Sequence, residues 1–256
     1  MSVSNYIKVL RKLQIMGIKQ ITLSGGEPTE HPDFEEFLKL SAQYNFILNI
    51  ASHGDWSYLG TFNVAKMLKK YGVKQVQFNY QGELHHDKVH GVKGSYQEQL
   101  NAIELTKIEN IDVVNTVTVG KYNLDNIKET FEEMINTGVD RLRVWETTGF
   151  GNNHRKNIEA QEIFDKTGKV AKELGYNYVQ SYDPLVQGNC GVSCLSKSML
   201  FMYINHKCEH IYCGAVPSQL SRPMSNILID TPEDIIENYR KLNENVPYSY
   251  CMAREL

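Results

Sequence analysis

The sequence predicts an α/β fold whose parallel strands, joined by right-handed crossovers, would curl into a barrel-like array, followed by a small cysteine-containing extension. Three observations predict it. Apolar stretches of strand length alternate with amphipathic stretches of helix length through most of the chain. The connections between them are short. Glycines at Gly17, Gly72, Gly138 and Gly175 each close a helix just before a strand.

In order, the first element is a helix over 4–16, and a strand over 18–23 follows it. Helices over 33–44, 61–71, 95–109, 125–137 and 159–174 then alternate with strands over 46–51, 74–79, 112–119 and 140–146, with a further strand near 177–181. Helix starts carry capping residues: Pro32-Asp33 with Glu35 and Glu36 in the first turn, Ser95 with Glu98, and Asn123 before Asp125. A parallel α/β array normally begins on a strand, so this one is expected to begin one strand late. From about residue 183 the pattern changes. Pro184, Gly188 and Gly191 break the periodicity, and Phe201-Met202-Tyr203-Ile204 reads as a short strand. A boundary near 182 therefore divides an α/β domain, 1–182, from a C-terminal region, 183–256.

At 256 residues the chain is long enough for one substantial domain with a small appendage. A net charge of −3 gives no reason to expect nucleic acid or an anionic membrane as a partner. No apolar run approaches membrane-spanning length. The N-terminus lacks a basic region followed by an apolar one, which makes the cytoplasm the expected compartment. All five cysteines (Cys190, Cys194, Cys208, Cys213 and Cys251) fall in the last 67 residues. In a chain without a visible secretion signal such a cluster points to metal or redox chemistry before disulfides.

Gly25-Gly26-Glu27-Pro28 ends the first apolar strand. Two adjacent glycines let a backbone approach a ligand closely, a carboxylate directly behind them can hold an ammonium, and Pro28 stiffens the exit. Loops at the carboxyl ends of parallel strands are where α/β folds place their ligands. The string LSGGEPTEHPDF resembles the S-adenosylmethionine-binding signature of the radical SAM family. Further matches keep the family's order. Ser52-His53-Gly54 stands where Thr-Asn-Gly is frequent. Val76-Gln77-Phe78-Asn79-Tyr80-Gln81-Gly82 resembles Val-x-Val-Ser-Leu-Asp-Gly, Asn115-Thr116-Val117 resembles the fifth strand, and Arg143-Val144 with Thr148-Gly149-Phe150-Gly151 resembles the sixth strand and its glycine loop.

The resemblance implies a partial (β/α)6 barrel that binds S-adenosylmethionine, with Gly25, Gly26, Glu27, Pro28, Ser52, Asn79 and Asn115 as cofactor-binding residues. In intact members a Cys-x3-Cys-x2-Cys cluster reduces the sulfonium, and the resulting 5′-deoxyadenosyl radical takes a hydrogen from substrate. No cysteine precedes Cys190, so no catalytic residue is named from this sequence.

His85-His86-Asp87-Lys88-Val89-His90-Gly91 resembles the family's His-Asp-x-x-Arg-Gly loop, with His90 in place of arginine. His86 and His90 would share a face if helical, a spacing zinc also uses; a structural or substrate-side loop is the reading preferred. Cys194, thirteen intervening residues, Cys208, four residues and Cys213 resemble the Cys-x(9–15)-Gly-x4-Cys opening of SPASM and Twitch domains, with Cys208 at the glycine position. That implies an auxiliary 4Fe–4S cluster, with Cys190 and Cys251 able to complete four thiolates; all five cysteines, Cys208 included, are candidate ligands, which four of them ligate is left open, and a four-cysteine zinc site is the competitor. Three cysteines for a catalytic cluster and four for an auxiliary one outnumber the five present. The expected substrate is a peptide or protein side chain, by analogy alone, and the electron donor is not identified. Two functional classes stand side by side: a radical-generating enzyme whose natural product is longer, and a non-catalytic barrel that binds S-adenosylmethionine or peptide and carries a structural metal.

Overall fold

The computed structural model describes residues 1–120, 122–146, 160–176, 202–211 and 223–245. They divide into two units. One comprises Met1–Ile18, Glu146–Phe164 and Tyr182–Leu256; the other comprises Lys19–Trp145 and Asp165–Ser181.

The second unit holds a five-stranded parallel sheet. Its strands are β1 (Gln20–Leu23), β2 (Ile47–Ser52), β3 (Gln75–Asn79), β4 (Asp112–Val119) and β5 (Arg141–Glu146), hydrogen-bonded in the order β1-β2-β3-β4-β5. Strands adjacent in sequence are neighbours throughout, the winding of a barrel wall and not of a doubly wound sheet. The crossovers carry α2 (Phe34–Gln43), α3 (Thr61–Lys70), α4 (His86–His90), α5 (Ser95–Ile108) and α6 (Ile127–Asn136), and α7 (Ala160–Glu173) follows β5. Apart from α4, which falls where a loop was expected, these elements lie within two residues of the ranges read from periodicity. The further strand near 177–181 lies outside the described residues.

Register divides the sheet into two unlike faces. Leu48, Ile50, Val76, Phe78, Val113 and Val117 share one face, each at most 1% exposed. Val64, Leu68 and Ile103 of the crossover helices are buried as completely. Each such side chain contributes about 1.5–3 kcal/mol when removed from water. The other face carries Asn49, Gln75, Gln77, Asn79, Asp112 and Thr116, with Ala51 and the buried Val114 in the row of Gln77. Parallel strands normally bury apolar residues on both sides, so a row of amides there marks a lining and not a packed core. β1 ends the ladder among the described residues and has no buried residue.

Gly17, Gly72, Gly138 and Gly175 all adopt left-handed dihedrals, with φ between 66° and 77°, as helix stops require. Asn45 (φ 57°) and Asn110 (φ 55°) do the same after α2 and α5, the other residue type that tolerates this conformation. The capping residues are corrected in three places. Gly94, not Ser95, occupies the N-cap of α5, and the missing acceptor comes from Asp87, whose carboxylate accepts from Gly94 N (2.6 Å), Tyr96 N (2.8 Å) and Ser95 Oγ (3.1 Å). Asp33 makes no side-chain cap bond; its own N–H donates to His31 Nδ1 at 3.1 Å. Asn123 also makes no cap bond to the turn it opens and instead closes β4, accepting from Gly120 N and donating to the Thr118 carbonyl.

Gly82, at φ +76°, sits where an added Cβ would lie 2.8 Å from Thr130 Oγ1. Gly82→Ala is expected to lose about 1–3 kcal/mol through crowding and a disfavoured dihedral. A urea midpoint unchanged from wild type would contradict this packing.

The other unit includes α1 (Val3–Ile15), whose Tyr6, Val9, Leu10 and Leu13 are buried. It also holds a three-stranded antiparallel sheet of β6 (Tyr203–Ile204), β7 (Glu209–Ile211) and β8 (Pro223–Asn226), against which α8 (Pro232–Asn245) packs. The Lys12 ammonium donates to the Asp230 carbonyl.

Candidate functional site

The chain leaves β1 at Leu23 and turns through Gly25 and Gly26, both exposed. A Cβ added at either glycine would meet nothing within 4 Å among the described residues, so packing against them does not require glycine here. Pro28 opens a 3-10 turn, Pro28–Glu30, whose N-cap is Glu27.

Glu27 is the hub of the corner. Its Oε1 accepts from Thr29 N (3.2 Å) and Thr29 Oγ1 (2.8 Å), and its Oε2 accepts from Ser52 Oγ (2.8 Å) and His53 N (2.7 Å). Because β1 and β2 pair in parallel, their carboxyl ends lie side by side, and one carboxylate stitches both loops. The stitching continues outward. Ser52 Oγ accepts from Gly54 N and Trp56 Nε1, both at 2.9 Å, and the Tyr58 hydroxyl donates to Thr29 Oγ1 at 2.8 Å. Four donors hold the carboxylate in place, yet among the described residues no cation lies within ion-pair distance of it. A half-buried, fixed carboxylate with no counter-cation among the described residues, beside a diglycine turn, has the charge and hydrogen-bonding capacity to accept an ammonium.

The other sequence-predicted residues are placed unevenly. Ser52 joins Glu27 directly. Asn79 is tied in through Gln99, whose Nε2 donates to the His53 carbonyl (2.7 Å) and the Asn79 carbonyl (3.0 Å), while Asn79 Oδ1 accepts from Gln81 Nε2. Asn115 stands apart. In register it lies in the row Ser52–Phe78–Asn115, on the apolar face, fully buried, and neither atom of its amide has a partner. Thr116, one residue later, shares the polar face with Asn79 and is 5% exposed with Oγ1 unpartnered. Sequence reasoning did not single out Thr29, although it lies within the LSGGEPTEHPDF string and bonds Glu27 locally, nor Trp56, Tyr58 or Gln99, whose roles depend on which loops the parallel pairing brings together and which no local motif marks.

The histidine loop folds as a helix turn, so His86 and His90 do share a face, but their rings stack at 4.2 Å between centroids. His53 meets His90 edge-on at 4.7 Å. Burial pushes His86 down to about 3 and His90 down to about 4, so both are neutral at physiological pH. Among the described residues no group of three or more His, Cys, Asp and Glu side chains is arranged to hold a metal ion. The loop's visible work is the Asp87 cap on α5.

On the polar face, Arg143 Nη1 donates to Gln77 Oε1 (2.9 Å) and Arg141 Nη2 donates to Gln75 Oε1 (2.6 Å), each reaching over β4. Arg141 also lies 3.8 Å from Asp112 Oδ2. Burial, with a smaller repulsion from Arg141, draws the Arg143 pKa below its usual value.

Of the five cysteines only Cys208 falls in the described residues; Cys190, Cys194, Cys213 and Cys251 lie outside them. Cys208 is fully buried at φ +64°, a glycine-like conformation, and burial pushes its thiol up. No helix among the described residues is long and apolar enough to cross a membrane.

The family model described as the Radical SAM superfamily matches residues 1–134. The chain is 28% identical over 153 residues to the sporulation killing factor maturation protein SkfB of Bacillus subtilis, covering 59% of this chain and 36% of that protein. It is 26% identical over 131 residues to the PqqA peptide cyclase of Ruegeria pomeroyi, covering 50% and 34%. It thus spans about a third of the length of these relatives. In fold it is similar to Streptococcus suis SuiB bound to S-adenosylmethionine, with a TM-score of 0.74 at 14% identity over 91% of this chain and 58% of that one. SuiB has also been solved with its precursor peptide SuiA.

Proposed function

The chain belongs to the radical SAM superfamily, and on that footing we propose that it binds S-adenosylmethionine at the Gly25–Glu27 corner and serves in the modification of a peptide. The observation that carries the cofactor reading is Glu27: a carboxylate fixed by four hydrogen bonds, without a counter-cation among the described residues, next to two glycines that packing against those residues does not require. The ammonium of the aminoacyl end supplies the missing charge. The Gly25 and Gly26 backbone supplies close approach. The peptide reading is supported by similarity to a sporulation killing factor maturation protein and a PqqA peptide cyclase.

In this family the bound cofactor supplies radical chemistry once reduced by a cluster. Residues 1–189 contain no cysteine, so this sequence has no thiolate set for that cluster ahead of Cys190 and no electron-transfer step is assigned to its residues. A second reading is a barrel that binds cofactor and peptide without cleaving the sulfonium. Calorimetry with S-adenosylmethionine tests the shared part: saturable one-to-one binding, with free methionine competing and adenosine alone weak, is the expected result. No heat would overturn both readings. Release of 5′-deoxyadenosine under strong reductant would then select the enzyme.

For the C-terminal region we propose a metal site built from Cys190, Cys194, Cys213 and Cys251, with a 4Fe–4S cluster favoured over zinc by the resemblance to SPASM and Twitch domains. The glycine-like φ of Cys208 supports its standing at the motif's glycine position and outside the ligand set. Anaerobic reconstitution should give about four irons per chain in wild type and in Cys208→Gly. Cys194→Ala and Cys213→Ala should lose them. Stoichiometric zinc, or loss of iron in Cys208→Gly, would contradict the assignment.

A further inference from the structure

We propose that Arg143, oriented by Gln77 on the polar face of the parallel sheet, is a carboxylate subsite that selects an acidic residue in the substrate. This rests on the reading of the substrate as a peptide.

Arg141 and Arg143 lie two residues apart and reach the same face, but their surroundings are opposite. Arg141 is exposed and has Asp112 at 3.8 Å. Arg143 is more buried, and among the described residues its one polar contact is the neutral amide of Gln77 at 2.9 Å, with no carboxylate in ion-pair distance. Selection for stability alone would put the counter-ion beside the charge that burial penalises more. The structure does the reverse, leaving its desolvated guanidinium unneutralised and fixed by a side-chain amide.

The rest of the face is built to receive a polar group. Asn49, Gln75, Gln77, Asn79 and Thr116 line it by register, around a buried Val114, where parallel strands ordinarily carry apolar side chains throughout. Thr116 Oγ1 is buried and unpartnered on β4, the strand that Arg143 and Gln77 bridge. With one edge of the guanidinium engaged by Gln77, the remaining planar N–H fork matches a carboxylate, and the threonine hydroxyl can donate beside it. A carboxylate could arrive on an acidic side chain, on a peptide C-terminus or on the aminoacyl end of S-adenosylmethionine. The last already has its anchor at Glu27, on the loops that follow β1 and β2, and the first is the source proposed.

The test uses the full chain and four probes followed by chemical-shift titration: N-acetylglutamate α-methylamide, its glutamine counterpart, N-acetylalanine and S-adenosylmethionine. Wild type should bind the glutamate probe about tenfold or more tightly than the glutamine probe. Arg143→Gln should bring that ratio near one, and Arg143→Lys, which keeps the charge without the fork, should retain part of it. Binding of S-adenosylmethionine should be the same in all three proteins. If Arg143→Gln fails to fold, the lysine variant together with Thr116→Val, which should also lower the ratio, decides the matter. The proposal is overturned if wild type shows no saturable response to the glutamate probe, does not distinguish it from the glutamine probe, prefers N-acetylalanine, or loses S-adenosylmethionine binding on substitution of Arg143. Preference for the glutamate probe without any S-adenosylmethionine binding would sink the cofactor reading and leave the subsite standing.

Discussion

Glu27→Gln should weaken S-adenosylmethionine binding at least about tenfold and lower stability by about 2 kcal/mol. The carboxylate accepts four hydrogen bonds, two on each oxygen, and two of the donors are the backbone N–H groups of Thr29 and His53. Hydroxyls of Thr29 and Ser52 can rotate to accept from an amide, but a backbone N–H cannot. Whichever way the new amide turns, its NH2 faces one of those fixed donors, and the charge that would balance an ammonium is gone. Calorimetry and thermal unfolding read the two effects separately. Full affinity in the variant would show that the glutamate ties loops together and nothing more. Glu27→Asp, which keeps the charge on a shorter arm, should recover part of the affinity and little of the stability.

Acidification should destabilise both units between about pH 6.5 and 4, through histidines and ahead of any carboxylate effect. His210 is fully buried, stands edge-on to Tyr239 at 4.9 Å, and burial pushes it down to about 4. Above pH 6.5 it is neutral folded or unfolded. Below that the unfolded chain takes up a proton that the native state refuses, so stability falls until the folded group titrates. A gap of this size is worth about 3 kcal/mol. His86, held near 3, and His90, held near 4, act in the same direction on the other unit, His86 first by burial and then by its neighbour His90. Asp87 and Glu35 have pKa values already lowered by hydrogen bonds and lose stabilisation only at more acid pH. Urea unfolding at pH 7.5 and 4.5, with fluorescence of the buried Trp56 reporting the sheet unit, measures the loss. His210→Phe and His86→Phe should each flatten the pH dependence of their own unit. A profile that is flat to pH 4.5 in wild type would contradict the burial of these rings.

The alternation of strands and helices was legible because each element carries its own period and most helices end at a glycine. The exceptions have physical causes. Ser95 has the composition of a cap, yet α5 is capped by Asp87, a residue whose approach depends on how the histidine loop folds. Asn45 and Asn110 stop helices as glycine does, and a reading keyed to glycine passes over them.

The diglycine corner and its glutamate were legible as a motif, but the partners of the glutamate were not. Ser52 Oγ and His53 N reach Glu27 only because β1 and β2 pair in one particular register. Asn115 shows the same limit of sequence most sharply. Alternation places Asn115 and Thr116 on opposite faces, and a shift of one residue exchanges them. The register puts Thr116, not Asn115, beside Asn79. The amides at Gln75, Gln77 and Asn79 were visible as an alternating pattern, but their meaning as one lining with Arg143 required β5 to be placed next to β4.

A crystal structure of the protein with S-adenosylmethionine tests the account most directly. The account predicts the methionyl ammonium at hydrogen-bond distance of the Gly25–Gly26 backbone with the Glu27 carboxylate beside it. Density for the cofactor elsewhere, or an unrelated molecule seated at that corner in its place, would contradict it.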